Sequence, residues 1–196
     1  LHLQGPVQKD KLKEAFRQII VRHESLRSTF SEDGLLMHVL PSITLPWREM
    51  ANLDTAEKAA ILDKYAREAT LHVFDLINGP LVNMLLLHFN DNSHALLITG
   101  HHIVCDGWSL SLMIKDLSTI YSSLVKNEQP DLETAISFIS YANEQEHYLK
   151  SKEHEEVEKF WLDQYQGELP VVEFPPDNHR PTVRSFFAKR IDVIVP

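Results

Sequence analysis

The chain is 196 residues long, 43% hydrophobic and 24% charged, and carries a net charge of −9 from 28 acidic and 19 basic residues. These values describe a soluble globular protein able to bury a core, and they disfavour a phosphate backbone or an anionic membrane as partner. The single cysteine, Cys105, excludes an intrachain disulfide and fits a reducing, cytoplasmic compartment, and neither a bilayer-spanning run nor a signal-peptide pattern is seen.

In chain order, residues 1–3 read as a strand stopped by Gly5-Pro6. Asp10 is a candidate N-cap for a helix whose face carries Leu12, Ala15, Phe16, Ile19, Ile20 and His23. Across residues 22–30 the pattern shifts to a strand. Asp33-Gly34 signals a hairpin with a return strand over residues 35–40, and Pro41 and Pro46 bracket a loop. Asp54-Thr55-Ala56-Glu57 has capping-box spacing ahead of a helix with Ile61, Leu62, Tyr65, Ala66 and Ala69. After the break at Asn78-Gly79-Pro80, residues 81–89 and 95–99 read as an antiparallel hairpin.

That hairpin delivers His101-His102-Ile103-Val104-Cys105-Asp106-Gly107-Trp108. Ser109 is a candidate N-cap for the next helix, marked by Leu110, Met113, Ile114, Leu117, Ile120, Tyr121 and Leu124. Two more helices are expected, over residues 134–148 and around Val157, Phe160, Trp161 and Tyr165. Pro170 and Pro175-Pro176 then end the helical part, and a strand is expected from Phe186. The chain opens on a half-strand without methionine and closes on Ile191-Asp192-Val193-Ile194-Val195, so both ends are expected to be cut from something longer. The fold class is α/β, a mixed sheet with helices packed on it.

Titratable groups crowded where a strand turns into a helix point to a reaction site. Neighbouring strand residues face opposite ways, so one of His101 and His102 enters a cleft while the other packs beneath it. A neutral imidazole there is a suitable general base. Asp106 sets the turn by binding local backbone N–H groups or an arginine. Gly107 lets an electrophile approach the backbone, where its N–H faces a developing oxyanion. Such a site suits direct acyl transfer to an acceptor that the histidine deprotonates.

A lone strand histidine is ordinarily structural, but His-His followed by Asp-Gly is a rarer pattern. His101, His102 and Asp106 are metal-ligand types, yet adjacent strand histidines diverge and no HExxH or cysteine pattern accompanies them, so no metal is expected. Cys105 reads as a packing residue and Trp108 as wall or core. His147 and His154 stand among glutamates on a solvated helix face.

The motif His101-His102-x-x-x-Asp106-Gly107 followed by Trp108-Ser109 resembles the signature of condensation domains from nonribosomal peptide synthetases. Three further segments match in the family's order: Arg22-His23-Glu24-x-Leu26-Arg27-x-x-Phe30 (with Ser28 at a threonine position), Phe74-Asp75-Leu76 with Gly79-Pro80-Leu81, and Asp177-x-x-Arg180-Pro181 with Ser185. Departures are a partial tyrosine segment, Tyr141-Ala142-Asn143, without its tryptophan, and no opening Ser-x-Ala-Gln-x-Arg segment.

The resemblance implies that residues 1–196 are the N-terminal lobe, in part, of a two-lobed chloramphenicol-acetyltransferase-like domain. It implies amide bond formation between a donor thioester and an acceptor amine. Both would ride on 4'-phosphopantetheine arms of carrier-protein domains, with no cofactor bound directly. By position, His102 would deprotonate or orient the amine and Gly107 would lie beside the thioester. Asp106 would be architectural with Arg27 as its ion-pair partner, His101 supporting, and Trp108 and Ser109 tunnel candidates. Paired aspartates would mark a heterocyclisation relative and are absent. A non-catalytic carrier-recognition lobe or an epimerisation-type relative is the alternative. The isolated chain is expected to be inactive, because half the tunnel wall lies in the other lobe.

Overall fold

The computed structural model describes residues 1–169 and 182–183. The expected strand from Phe186, the prolines at 170, 175 and 176 and the Asp177-to-Ser185 segment lie outside the described residues. The chain divides into two compact units, Leu1–Glu146 and His147–Pro196.

The first unit is built on a four-stranded sheet in the order β1-β6-β5-β4, from β1 (His2–Gln4), β4 (Trp47–Met50), β5 (Val82–Asn90) and β6 (Ser93–Gly100). β5 and β6 form the expected antiparallel hairpin, β1 joins β6 antiparallel, and β4 joins β5 parallel, so the sheet is mixed. A two-stranded sheet pairs β2 (Ser28–Phe30) with β3 (Met37–Val39) around the Gly34 loop. The return strand is shorter than expected, and a 3-10 turn, Glu24–Arg27, replaces the start of the strand expected from residue 22.

β5 reads as one apolar run because both faces of the sheet are covered. Val82, Met84 and Leu86 face one core with Leu96, while Leu85, Leu87 and Phe89 face a second core with Ala95. Helices α1 (Lys9–Arg22) and α3 (Gly107–Lys126) cover the first face, bringing Leu12, Phe16 and Ile19 against Met113, Leu117 and Ile120. Helix α2 (Lys58–Thr70) covers the second through Tyr65, Ile61 and Leu62. Lys11 fastens α1 to the end of α3, its ammonium donating to the Leu124 carbonyl at 2.6 Å.

Four helix starts differ from the sequence reading. Gln8, not Asp10, occupies the N-cap of α1, and Asp10 lies in the first turn, where its charge still favours the helix dipole. Glu57 precedes α2, while Asp54 closes a tight turn by accepting from the Ala56 N–H at 2.8 Å. Asp106 rather than Ser109 caps α3. Helix α4 (Phe138–Leu149) starts four residues later than expected, at a point fixed by Glu24. In the second unit, α5 (Lys152–Gln164) is capped by Ser151, and His154 packs edge-on to Tyr148.

Candidate active site

Strand β6 ends at Gly100, so both motif histidines leave the strand and enter a turn. Strand alternation is therefore not what separates them. The His101 N–H donates to the Leu81 carbonyl at 2.9 Å, and its carbonyl accepts from the Val104 N–H at 3.0 Å. Its ring Nδ1 accepts from the Ile103 N–H at 3.1 Å, which places the proton of the neutral ring on Nε2. Phe74 meets that ring edge-on at 6.0 Å. His101 is thus fixed into the turn. His102 is exposed, and among the described residues it makes no hydrogen bond.

Asp106 is committed to the helix that follows. Its Oδ1 accepts from the Ser109 N–H at 2.8 Å and the Ser109 hydroxyl at 2.7 Å. The Ser109 backbone and hydroxyl bonds hold the Asp106 carboxyl below the usual carboxylate range, and His102 adds a smaller pull in the same direction. The sequence alternatives for Asp106 resolve in favour of backbone capping over an arginine. Gly107 is the first residue of α3, and a Cβ there would meet nothing within 4 Å. The N–H groups of Gly107 and Trp108 have no acceptor among the described residues, as the first turn of a helix requires.

Trp108 is 83% exposed, which excludes the core reading. Beneath it a cavity of about 110 Å³ is lined by Val104, Cys105, Trp108, Ser109, Leu112 and Met113 among others. Cys105 is buried against Leu81 and Val104, and burial, then the Asp106 charge, pushes its thiol up, so it is a packing residue held as the unreactive thiol. Gly100 admits it: a Cβ on Gly100 would stand 2.4 Å from the Cys105 sulfur.

Arg27 does not pair with Asp106. Its guanidinium lies 3.8 Å from Glu24 and donates to the Leu40 carbonyl. The 3-10 turn sets Arg27 three residues after Glu24, on one side of the turn, while the Asp106 carboxylate is spent on its own helix.

What the sequence reading missed is a clasp behind the site. Asp116 of α3 is buried and accepts from Arg22 Nε at 2.9 Å, with His23 Nε2 3.0 Å from the same oxygen. Glu24 accepts from the Ser137 hydroxyl at 2.9 Å and the Phe138 N–H at 2.8 Å. The Arg22-His23-Glu24 run therefore ties the end of α1 to α3 and to the start of α4. The available signal was an acid at 116 within the apolar spacing of Met113, Leu117 and Ile120. Among the described residues no three His, Cys, Asp or Glu side chains gather as a metal site, and no helix is long and apolar enough to cross a membrane.

A profile of the Condensation domain family matches residues 1–196. The chain is 31% identical over 192 residues to tyrocidine synthase 2 of Brevibacillus parabrevis, covering 96% of this chain and 5% of that protein. It is 36% identical over 196 residues to surfactin synthase subunit 2 of Bacillus subtilis (strain 168), covering 97% of this chain and 5% of that one. The starter condensation domain of rhizomide synthetase RzmA shares the fold, with a TM-score of 0.77 at 22% identity over 84% of this chain and 40% of that chain. This chain therefore spans about one twentieth of the two synthases.

Proposed function

The chain belongs to the condensation domain family, and from that premise we propose that it supplies the histidine-bearing lobe of a domain that forms amide bonds in nonribosomal peptide synthesis. The observation that carries this reading is the turn at residues 101–107: one histidine locked to the backbone, the next exposed, and a capped helix opening at an unobstructed glycine.

The neutral imidazole of His102 takes a proton from the acceptor amine, or holds the amine so that its lone pair meets the donor carbonyl carbon. A C–N bond forms and the C–S bond of the thioester breaks. The imidazolium returns its proton to the departing thiolate, so the products are the amide and a free thiol. During attack the carbonyl oxygen gains charge, and the free N–H groups at the start of α3 are placed to stabilise it, worth about 2.7–4 kcal/mol for a well-aimed donor. Asp106 and His101 hold the turn, and Trp108 with Ser109 forms wall beside it. The substrates ride on phosphopantetheine arms of donor and acceptor carrier-protein domains, and the remainder of the reaction tunnel comes from a second lobe.

The test uses the chain joined to its second lobe, with a donor carrier protein bearing an acyl or aminoacyl thioester and an acceptor carrier protein loaded with an aminoacyl group whose amine is free. Mass spectrometry of the acceptor arm should reveal the condensed product. The 196-residue chain alone should give none. Carrier binding without product from the joined protein would favour a recognition lobe instead.

A further inference from the structure

At the turn end of the β5–β6 hairpin, away from the motif, two histidines occupy positions where the core rows would otherwise be apolar. His88 continues Val82, Met84 and Leu86, and His94 continues Leu96; the two are 8% and 3% exposed. Their Nδ1 atoms lie 2.8 Å apart. His94 Nε2 is 3.2 Å from the Gly5 carbonyl and 3.3 Å from the Asp91 carbonyl. His88 Nε2 is buried without a partner.

The hydrogens follow from these contacts. Carbonyls only accept, so His94 carries its proton on Nε2 and presents a lone pair at Nδ1. His88 must then donate from Nδ1, which leaves its Nε2 as an empty, buried acceptor. His94 thereby joins three segments: the end of β1 at Gly5, the turn at Asp91, and strand β5 at His88.

We propose that the His88–His94 pair is a proton-sensitive latch that fastens β1 to the sheet and releases it in mild acid. A proton added to His94 Nδ1 sets two N–H groups against each other at 2.8 Å and breaks the bond. A proton added to His88 Nε2 creates a buried cation with no acceptor, which is costly. Both routes are relieved by opening the pair to water, and a cleft of about 400 Å³ lined by Pro6, Lys9, Asn52, His88, Asp91 and His94 already reaches it.

The charged neighbours are Lys9 of α1, Glu49 of β4, which pairs with Lys9 at 3.7 Å, Asp91 of the turn, and Lys58 of α2, which donates to Ser93 at 2.8 Å. Burial, and then Lys9, hold the His88 imidazole below its ordinary range, and Glu49 opposes them. The latch is therefore intact above the ordinary histidine value of about 6.5 and weakens as pH falls from there through the lower folded value, because the open state binds the extra proton.

The experiment is NMR on the full chain, following histidine rings and amide exchange. Expected is a His88 ring that stays neutral below the ordinary histidine range. Gly5 amide protection, corrected for intrinsic exchange, should fall about tenfold between pH 7.5 and 5.5. The paired change His88→Leu with His94→Gln, which retains an amide donor for Gly5, should flatten that slope. A His88 ring that is not shifted below the ordinary histidine range, or Gly5 protection independent of pH in the parent, would overturn the proposal. The parent titration decides the matter even if the double variant does not fold.

Discussion

Gly100→Ala places a methyl group where the Cys105 sulfur already lies. The new Cβ would stand 2.4 Å from Sγ, whereas ordinary carbon contacts begin at about 3.5 Å, so the sulfur must retreat by about 1 Å. Leu81 and Val104 pack around that sulfur, and His101 holds it through a 3.7 Å contact to its carbonyl, so retreat disturbs the turn that presents His102. Overpacking of this kind costs about 1–3 kcal/mol, which for a chain of this length lowers Tm by about 2–4 °C per kcal/mol. Cys105→Ala alone removes one buried atom and should cost about 1 kcal/mol. The double variant should recover stability relative to Gly100→Ala, because the sulfur that clashes is gone. Urea denaturation of the four proteins measures the coupling. An unchanged midpoint for Gly100→Ala, or no rescue by Cys105→Ala, would refute the packing argument.

Arg22→Ala removes the guanidinium from the buried Asp116 carboxylate, leaving His23 as its remaining side-chain partner among the described residues, and should cost about 3 kcal/mol, read from the denaturation midpoint. Glu24 is held below the usual carboxylate range first by the Ser137 hydroxyl, then by the Ile139 and Phe138 N–H groups and Arg27. Its cap is therefore complete above the ordinary glutamate value of about 4.3 and is lost as pH falls through the lower folded value. Glu24→Gln should fray the start of α4 at neutral pH, seen as faster amide exchange at Phe138, and should remove that acid-dependent part of the exchange.

The central hairpin and its motif were legible because nine residues of β5 with few breaks, then a turn, then β6, need no distant information. β4 was not legible. Trp47–Met50 is short, and Arg48 and Glu49 are exposed between partly buried ends. Among the described residues it pairs in parallel with a strand more than thirty residues later. Caps were displaced by a few residues for a related reason. Asp106 and Ser109 are both good acceptors, and only the backbone path decides that the aspartate accepts while the serine donates. The Arg27 assignment failed because an ion pair implied by family position had nearer competition: Glu24 stands one turn away, and no spacing rule weighs that against Asp106. The Asp116 clasp escaped because a single acid inside an apolar helical stripe reads as a gap in the pattern until Arg22 and His23 are seen across from it.

The central claim is that His102, exposed beside the start of α3, carries the proton in amide formation while His101 holds the turn. Single-turnover condensation by the two-lobed protein, comparing the parent with His102→Ala and monitoring Tm in parallel, tests it most directly. The account predicts a rate about 10²- to 10⁴-fold lower for His102→Ala with Tm little changed, since that side chain is exposed. A His102→Ala protein that condenses at the parent rate would contradict it.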